Sequence, residues 1–473
     1  MPTTLLADLR GVLGAERVRD GASELSLYRR DAGHMEGAAA AVCFPRTTDE
    51  VAHCVRTAVA HGVPFVARGS GTGLAGGAVP PDGAIIVSIT KMDTVLSVDP
   101  IASRAWVEPG VLNLDLSRHV AAHGLHFAPD PSSQQACTIG GNVANNAGGP
   151  HCLSEGVTSS HIVAIEVVLP DGSVAVLGGE DPEPAGYDLR GAFVGSEGMC
   201  GIATAICVRL TRDPPVVRTM LLDFDTIEDG ASTVSDIIAA GIVPAALEMM
   251  DHLCLVVVEA YIHAGLPENS AAALLVEVVG QTNGVDADTT SIIEIANRHD
   301  VNEVRIAADE VERALLWKGR KSAFGAIARI KPDYYLHDTV VPRHQLPAML
   351  AQVYEIAARH GLDVLNVFHA GDGNLHPLLL FDAREPGVLD RVHAAGDEIV
   401  TASVAAGGVL SGEHGIGLEK RDLMPLMFSA VDLSAQAALR DAFDPVGLAN
   451  PGKVLPSPAR CADLQSVPAG VWI

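Results

Sequence analysis

Between residues 45 and 69 the chain passes from an amphipathic run to a solid apolar one. In "PRTTDEVAHCVRTAVAHGVPFVARG" the apolar Val51, Val55 and Ala58 recur at i, i+4 and i+7, the spacing of a helix with one buried face. Thr48 reads as the cap, Asp49 and Glu50 as an acidic first turn, and Gly62 as the stop. "PFVAR" then reads as a short buried strand. The runs "AIIVSI", "RAWVEPG", "IVAIEVVLP" and "IATAICVRL" predict further strands, and "PDGS" at 170–173 predicts a hairpin turn.

The pattern changes after "RDPP" at 212–215. Strand-like "VRTMLLDF", "AALLVEVVG" and "NEVRIA" are interleaved with helical "TIEDGASTVSDIIAAG" and "VDADTTSIIEIANRHD". That order predicts an α+β domain, an antiparallel sheet covered by helices. A boundary is expected near 213, and a chain of 473 residues needs more than one core.

Composition narrows the function. The formal charge of −26 argues against nucleic acid and against an anionic membrane surface. An anionic substrate must then be captured by a few specific cations. The eight cysteines contain no Cys-x-x-Cys pair, so a zinc ribbon or an iron–sulfur cluster within this chain is not expected, and a reducing compartment is. The start "MPTTLLADLRGVLGAERV" has no signal-peptide core and no run reaches about 20 apolar residues, so the expectation is a cytoplasmic chain.

Three glycine-rich loops stand in the first part: "ARGSGTGLAGGA" at 67–78, "PDPSSQQACTIGGNVANNAGG" at 129–149 and "VGSEGMCGI" at 194–202. The first follows a strand, but it lacks a Gly-Lys-Ser/Thr and its helix precedes it, so it is no mononucleotide fingerprint. Consecutive amides on such loops can line an anion nest. Three of them in about 210 residues point to backbone wrapped around one large phosphate-bearing cofactor.

Two histidines flank a turn in "FHAGDGNLHP". A two-residue turn (Asp372, Gly373) or a four-residue one (371–374) gives the same register, with His369 directly opposite His376 and Cβ atoms about 5 Å apart. Such a pair can be an incidental hairpin or two ligands of one divalent metal. "VLSGEHGIGLEK" at 409–420 offers Glu413 as a carboxylate ligand. His414 is adjacent to it, so the two are expected to point different ways, one toward a metal and one toward a substrate.

The glycine loops resemble the FAD-binding domain of vanillyl-alcohol-oxidase (PCMH-type) flavoproteins. With "HAGDGNLHPLLLFD", "SGEHGIGLEK", "NPGKVL", "ALEMMD" and "WKGRKSAFGAIARIKPDYY", the chain is similar to the FAD-linked D-2-hydroxyacid dehydrogenase family from about Pro45 to Leu455. That family holds D-lactate and D-2-hydroxyglutarate dehydrogenases and the FAD-bearing subunit of bacterial glycolate oxidase, to which the likeness is strongest.

The resemblance implies a PCMH-type FAD domain over 1–213, a ferredoxin-like α+β cap or substrate domain over 214–410, and a C-terminal helical segment, 411–473, returning to the FAD domain. Arg68, Gly69, Ser70, Gly71, Thr72, Gly73, Gly76 and Gly77 would hold the pyrophosphate of FAD. Pro129, Ser132, Thr138, Gly140, Gly141 and Asn142 would follow pyrophosphate and isoalloxazine. Glu197, Gly198 and Ile202 would take the adenosine side, and Asn450 would also contact the cofactor. No histidine stands in the first loop, so non-covalent FAD is expected.

His369, His376 and Glu413 would bind a divalent metal, zinc or manganese/iron. His414 would be the base and Arg320 the carboxylate clamp, with Asn374 touching substrate or metal. Without the resemblance, Arg320 could as well lie on a solvated helix face. Phe324 and Leu336 stand where diacid-specific members carry polar groups, favouring glycolate or D-lactate over the alternative, D-2-hydroxyglutarate. The likeness implies an external electron acceptor, an iron–sulfur subunit being one candidate, peripheral attachment to the inner membrane through such a partner, and room for a homodimer. Two other classes stay open: a non-catalytic flavin-binding assembly subunit, and a non-redox enzyme such as an alkyl-glycerone-phosphate synthase. The intact histidines and Glu413 count against the first, and the missing cluster of adjacent histidines against the second.

Overall fold

A computed structural model describes residues 3–180 and 186–456. The chain forms two compact units. The first comprises Met1–Gly148, Val157–Asp213 and Glu413–Ile473, and the second Gly149–Gly156 and Pro214–Gly412.

The first unit holds two sheets. Strands Val18–Arg19, Ala41–Cys43, Ile85–Ser88 and Phe65–Arg68 lie in that order, the last three mutually parallel. The parallel pairing needs a crossover, which the helix Thr48–Ala60 supplies. Its cap is Thr47, one residue earlier than the sequence pattern suggests, with the Thr47 hydroxyl accepting from the Glu50 amide at 3.2 Å. Thr48 is instead engaged sideways, donating to Glu166 at 2.7 Å, which decides between two adjacent threonines of equal capping propensity.

The second sheet is antiparallel, in the order Val95–Asp99, Arg104–Val107, Ile202–Arg209, Ile162–Val168, Val174–Gly178. The expected turn over 170–173 joins its last two strands. The segment from 413 onward brings a 3-10 turn, Arg421–Leu426, and a helix, Ala430–Phe443, opened by a Ser429/Asp432 capping box.

The second unit is built on a seven-stranded antiparallel sheet. Its order is Glu303–Ile306, Val216–Phe224, Ala272–Gly280, Ala246–Asp251, Asp363–Phe368, Pro377–Phe381, Asp333–Leu336. Alternate residues separate its faces. Met220, Leu222, Leu247, Met249, Leu274, Val276, Phe368 and Leu379 face one side. They pack there with residues of helices Ile227–Ala239, Thr282–Asn297, Leu346–Arg359 and Val388–Ala405. The opposite face carries the buried polar exceptions, among them Thr219, Glu248 and Glu277.

Candidate active site

On that second face a stripe of polar side chains crosses five neighbouring strands: Thr219, Glu277 and Glu248 lie within their strands, His369 just follows one and His376 just precedes the next. Thr219 is the register partner of Glu277. Glu277 and Glu248 are diagonal neighbours, since Ala246 pairs with Glu277 and Glu248 with Leu275. Met249 pairs with Phe368, which sets Glu248 beside His369. All five are at most 3% exposed. Leaving a buried charge unpaired costs about 3–5 kcal/mol, so such a stripe survives only if its members satisfy one another.

Glu248 sits at its centre. Its Oε1 is 2.7 Å from His369 Nδ1 and its Oε2 is 2.6 Å from Arg320 Nη2. Burial alone would raise the Glu248 carboxyl, but His369 and Arg320 outweigh it and hold it below the usual carboxylate range. Nδ1 faces the carboxylate, so a metal would meet His369 through Nε2, the orientation that metal-binding imidazoles use. The His376 ring stands 5.0 Å from that of His369, nearly perpendicular, and His376 Nε2 is 3.7 Å from Asp338 Oδ1.

The route to this pairing differs from the sequence expectation. Asp363 pairs with Leu380 and Asn366 with Pro377, and His369 bridges Asn374. His376 is therefore diagonal to His369, two positions off the predicted register. The cause is the turn: Ala370–Asp372 winds as 3-10 and Gly373, at φ 72°, closes it. Because the side-chain period of a strand is two, a slip of two leaves both imidazoles on one face.

Arg320 ends the helix Glu310–Lys321 and is 1% exposed, so it belongs to no solvated face. Among the described residues its Nε and Nη1 have no acceptor. Buried guanidinium N–H groups of this kind suit an anionic acceptor. Asn374 is buried close to Gly412, where an added Cβ would lie 2.4 Å from its Nδ2. The Gly412 amide donates to Asp338 Oδ1 at 2.9 Å, and the Ser411 hydroxyl donates to the same carboxylate. The chain is thus tied down in the second unit up to the residue before Glu413. Phe324 lies against Tyr334, ring centres 6.3 Å apart, and Leu336 is buried opposite Leu378.

In the first unit the side chains of Glu413 and His414 converge, with His414 Nε2 3.7 Å from Glu413 Oε1. Divergence would need an extended backbone, whereas here the chain bends and Gly415 follows at φ 88°. The His414 carbonyl accepts from Asn145 Nδ2 at 3.0 Å. The Ile416 and Gly417 amides donate to Glu197 Oε1 at 2.8 and 3.0 Å. Burial pushes the Glu197 carboxyl up to about 7 against those two amides. Asn450 Nδ2 donates to the carbonyls of Gly77 and Glu197. Glu197 and Asn450 therefore brace the "GEHGIG" loop and the first glycine loop against each other.

Arg68 donates to the Arg30 carbonyl at 2.9 Å and is 7% exposed, so its guanidinium locks the loop from beneath. Gly69 lies tightly over Thr138, where a Cβ would stand 2.3 Å from the Thr138 Oγ1. Ser70 and Thr138 line a cavity of about 590 Å³ with Thr90, Gly110 and Val111. Small residues, hydroxyls and close-approaching backbone suit a nucleotide cofactor. Thr138 caps the helix Ile139–Asn145, which holds Gly140, Gly141 and the buried Asn142. The Pro129 carbonyl accepts from Asn113, Ser132 is exposed and Ile202 begins a core strand.

Comparison with known families decides what these two halves are. The model for the C-terminal domain of FAD linked oxidases matches residues 213–454, and the model for an FAD binding domain matches 39–178. The chain belongs to the FAD-linked oxidases. It is 45% identical over 426 residues to glycolate oxidase subunit GlcD of Escherichia coli strain K12, covering 90% of this chain and 85% of that one. The Bacillus subtilis strain 168 subunit of the same name is 39% identical, covering 95% and 96%. Among solved structures, 4-ethylphenol oxidase from Gulosibacter chungangensis superposes with a TM-score of 0.80 at 19% identity, over 96% of this chain and 97% of that one. That last likeness is one of fold.

Three buried acids of the second unit were not singled out by the sequence pattern. Glu248 and Glu277 each interrupt an apolar run, in "ALEMMD" and "LLVEVV", while Asp338 stands between His337 and Thr339. For Glu277, an acidic residue inside a run read as a strand was the available signal.

Proposed function

We propose that this chain oxidises a small D-2-hydroxy acid, glycolate or D-lactate, to the 2-oxo acid. The observation that carries the reading is the buried Arg320–Glu248–His369 set with His376 beside it. It offers a carboxylate-binding fork and an oriented imidazole pair on one face of one sheet. When bound, FAD supplies a two-electron acceptor for the hydride leaving C2, and a divalent metal supplies a Lewis acid for the hydroxyl.

The residues divide the remaining work. Arg320 binds the substrate carboxylate through its fork of N–H groups. His369, His376 and Glu413 hold the metal; the donor set of two imidazoles and a carboxylate suits zinc, manganese or iron. His414 accepts the hydroxyl proton, and Asn374 steadies substrate or metal. The small-residue loops at 68–77 and 129–142, with Glu197, Gly198, Ile202 and Asn450, hold FAD without a covalent bond. The acceptor that reoxidises the flavin is external. A partner subunit bearing an iron–sulfur cluster fits a chain without Cys-x-x-Cys pairs and relatives that are named as subunits. Such a partner would also be the route to a membrane, because no helix among the described residues is long and apolar enough to cross one.

The apolar Phe324 and Leu336 support a monocarboxylate, because a second substrate carboxylate beside them would be buried without a partner. Steady-state rates with a dye acceptor test this. Glycolate or D-lactate is expected to exceed D-2-hydroxyglutarate in kcat/KM by at least about tenfold, the order set by one unpaired polar group. Preference for the diacid would reverse the assignment.

A further inference from the structure

Glu277 lies next to Thr219 in the part of the polar stripe away from His369 and His376, and nothing in the chemistry above uses it. It is 1% exposed. Its Oε2 accepts from Thr219 Oγ1 at 2.6 Å, Trp317 Nε1 at 2.8 Å and Arg313 Nε at 2.9 Å. Its Oε1 is 3.2 Å from Arg313 Nη2 and 3.4 Å from His151 Nε2. Burial would raise the carboxyl, but the bonds from His151 and Arg313 outweigh it and hold Glu277 ionised, well below the usual range.

Two of those donors share a helix with Arg320. Arg313, Trp317 and Arg320 stand at i, i+4 and i+7 of Glu310–Lys321, one face of an α-helix. The face meets two carboxylates, Glu277 taking Arg313 and Trp317 and Glu248 taking Arg320. From the midpoint of 313 and 317 to 320 the helix rises about 7.5 Å. Diagonal neighbours in an antiparallel pair, as Glu277 and Glu248 are, stand about 7–8 Å apart. The spacings agree, so the two carboxylates fix both the rotation of the helix and its position along its own axis. Apolar packing alone would leave that position loosely set.

We propose that Glu277 is a positioning residue that, through Arg313 and Trp317, fixes the helix so that Arg320 presents its guanidinium to the substrate carboxylate. The proposal rests on the reading of Arg320 as the carboxylate clamp. It predicts a defect in substrate binding that spares the metal and the flavin. A residue needed only for folding would move all three.

The test uses the purified enzyme with its FAD and metal, and oxalate, a two-carbon anion, as the binding probe read through the flavin absorbance. Glu277→Gln is expected to raise both the Kd for oxalate and the KM for glycolate about tenfold. It should change kcat by less than about threefold and leave metal and FAD content unchanged. Trp317→Phe removes one hydrogen bond and keeps the ring, and should shift both constants about threefold in the same direction. It answers the question if Glu277→Gln does not fold. Unchanged oxalate binding in either folded variant, or loss of metal in step with loss of binding, overturns the positioning role. Arg320→Lys separates the two readings: if it leaves oxalate binding intact, the carboxylate clamp itself falls. If it weakens binding and Glu277→Gln does not, only the role of Glu277 falls.

Discussion

Replacing Arg320 with leucine is expected to lower kcat/KM for glycolate or D-lactate by on the order of a thousandfold, or ~4 kcal/mol of transition-state stabilisation. FAD content should stay at the wild-type level. Two effects add. The substrate carboxylate loses a charge-assisted fork, and Glu248, fully buried, loses the cation 2.6 Å away. Arg320→Lys keeps the charge but not the planar fork, so it should recover Glu248 pairing better than turnover. Steady-state kinetics on both variants, with FAD occupancy from the absorbance spectrum, check this. Equal kcat/KM for wild type and Arg320→Leu would remove Arg320 from the site.

His376→Ala is expected to abolish turnover and lower bound divalent metal from about one equivalent to near zero, with FAD retained. The separation is expected because the FAD-binding loops and the histidine pair belong to different compact units. Elemental analysis of dialysed protein measures the metal directly. Glu248→Gln should show a milder form of the same loss, about 10–100-fold in metal affinity, since Glu248 orients His369 and is not itself one of the proposed ligands. A His376→Ala protein that keeps both metal and activity would take His376 out of the ligand set.

Strands, helices and the change of pattern after "RDPP" were legible because a buried face writes a period of two or 3.6 into the sequence. Registry was not. The His369 turn looked compatible with two loop lengths in one register, yet the 3-10 winding of Ala370–Asp372 and the positive φ of Gly373 give a four-residue loop one position earlier, over 370–373, and so another register. The histidines still share a face, because the error was an even number of residues. Thr47 and Thr48 were equivalent as caps until Glu166, over a hundred residues away, took one of them. Glu413 and His414 were expected to diverge because they are adjacent, whereas their side chains approach to 3.7 Å where the chain bends before Gly415.

Arg320 illustrates the limit differently. The helix pattern allowed a solvated face for it, whereas it is buried and paired with Glu248, from a strand more than seventy residues earlier. Glu248 and Glu277 were visible as letters out of place in apolar strands. Their partners depend on which strands neighbour each other, which no local pattern contains.

The account turns on hydride leaving a 2-hydroxy acid for the flavin. Anaerobic mixing of the purified protein with glycolate, D-lactate, L-lactate and D-2-hydroxyglutarate, followed by the absorbance of the oxidised flavin, tests that step without any external acceptor. Bleaching by glycolate or D-lactate, faster than by D-2-hydroxyglutarate and absent with L-lactate, is the predicted result. An oxidised flavin spectrum that persists with all four acids would contradict it.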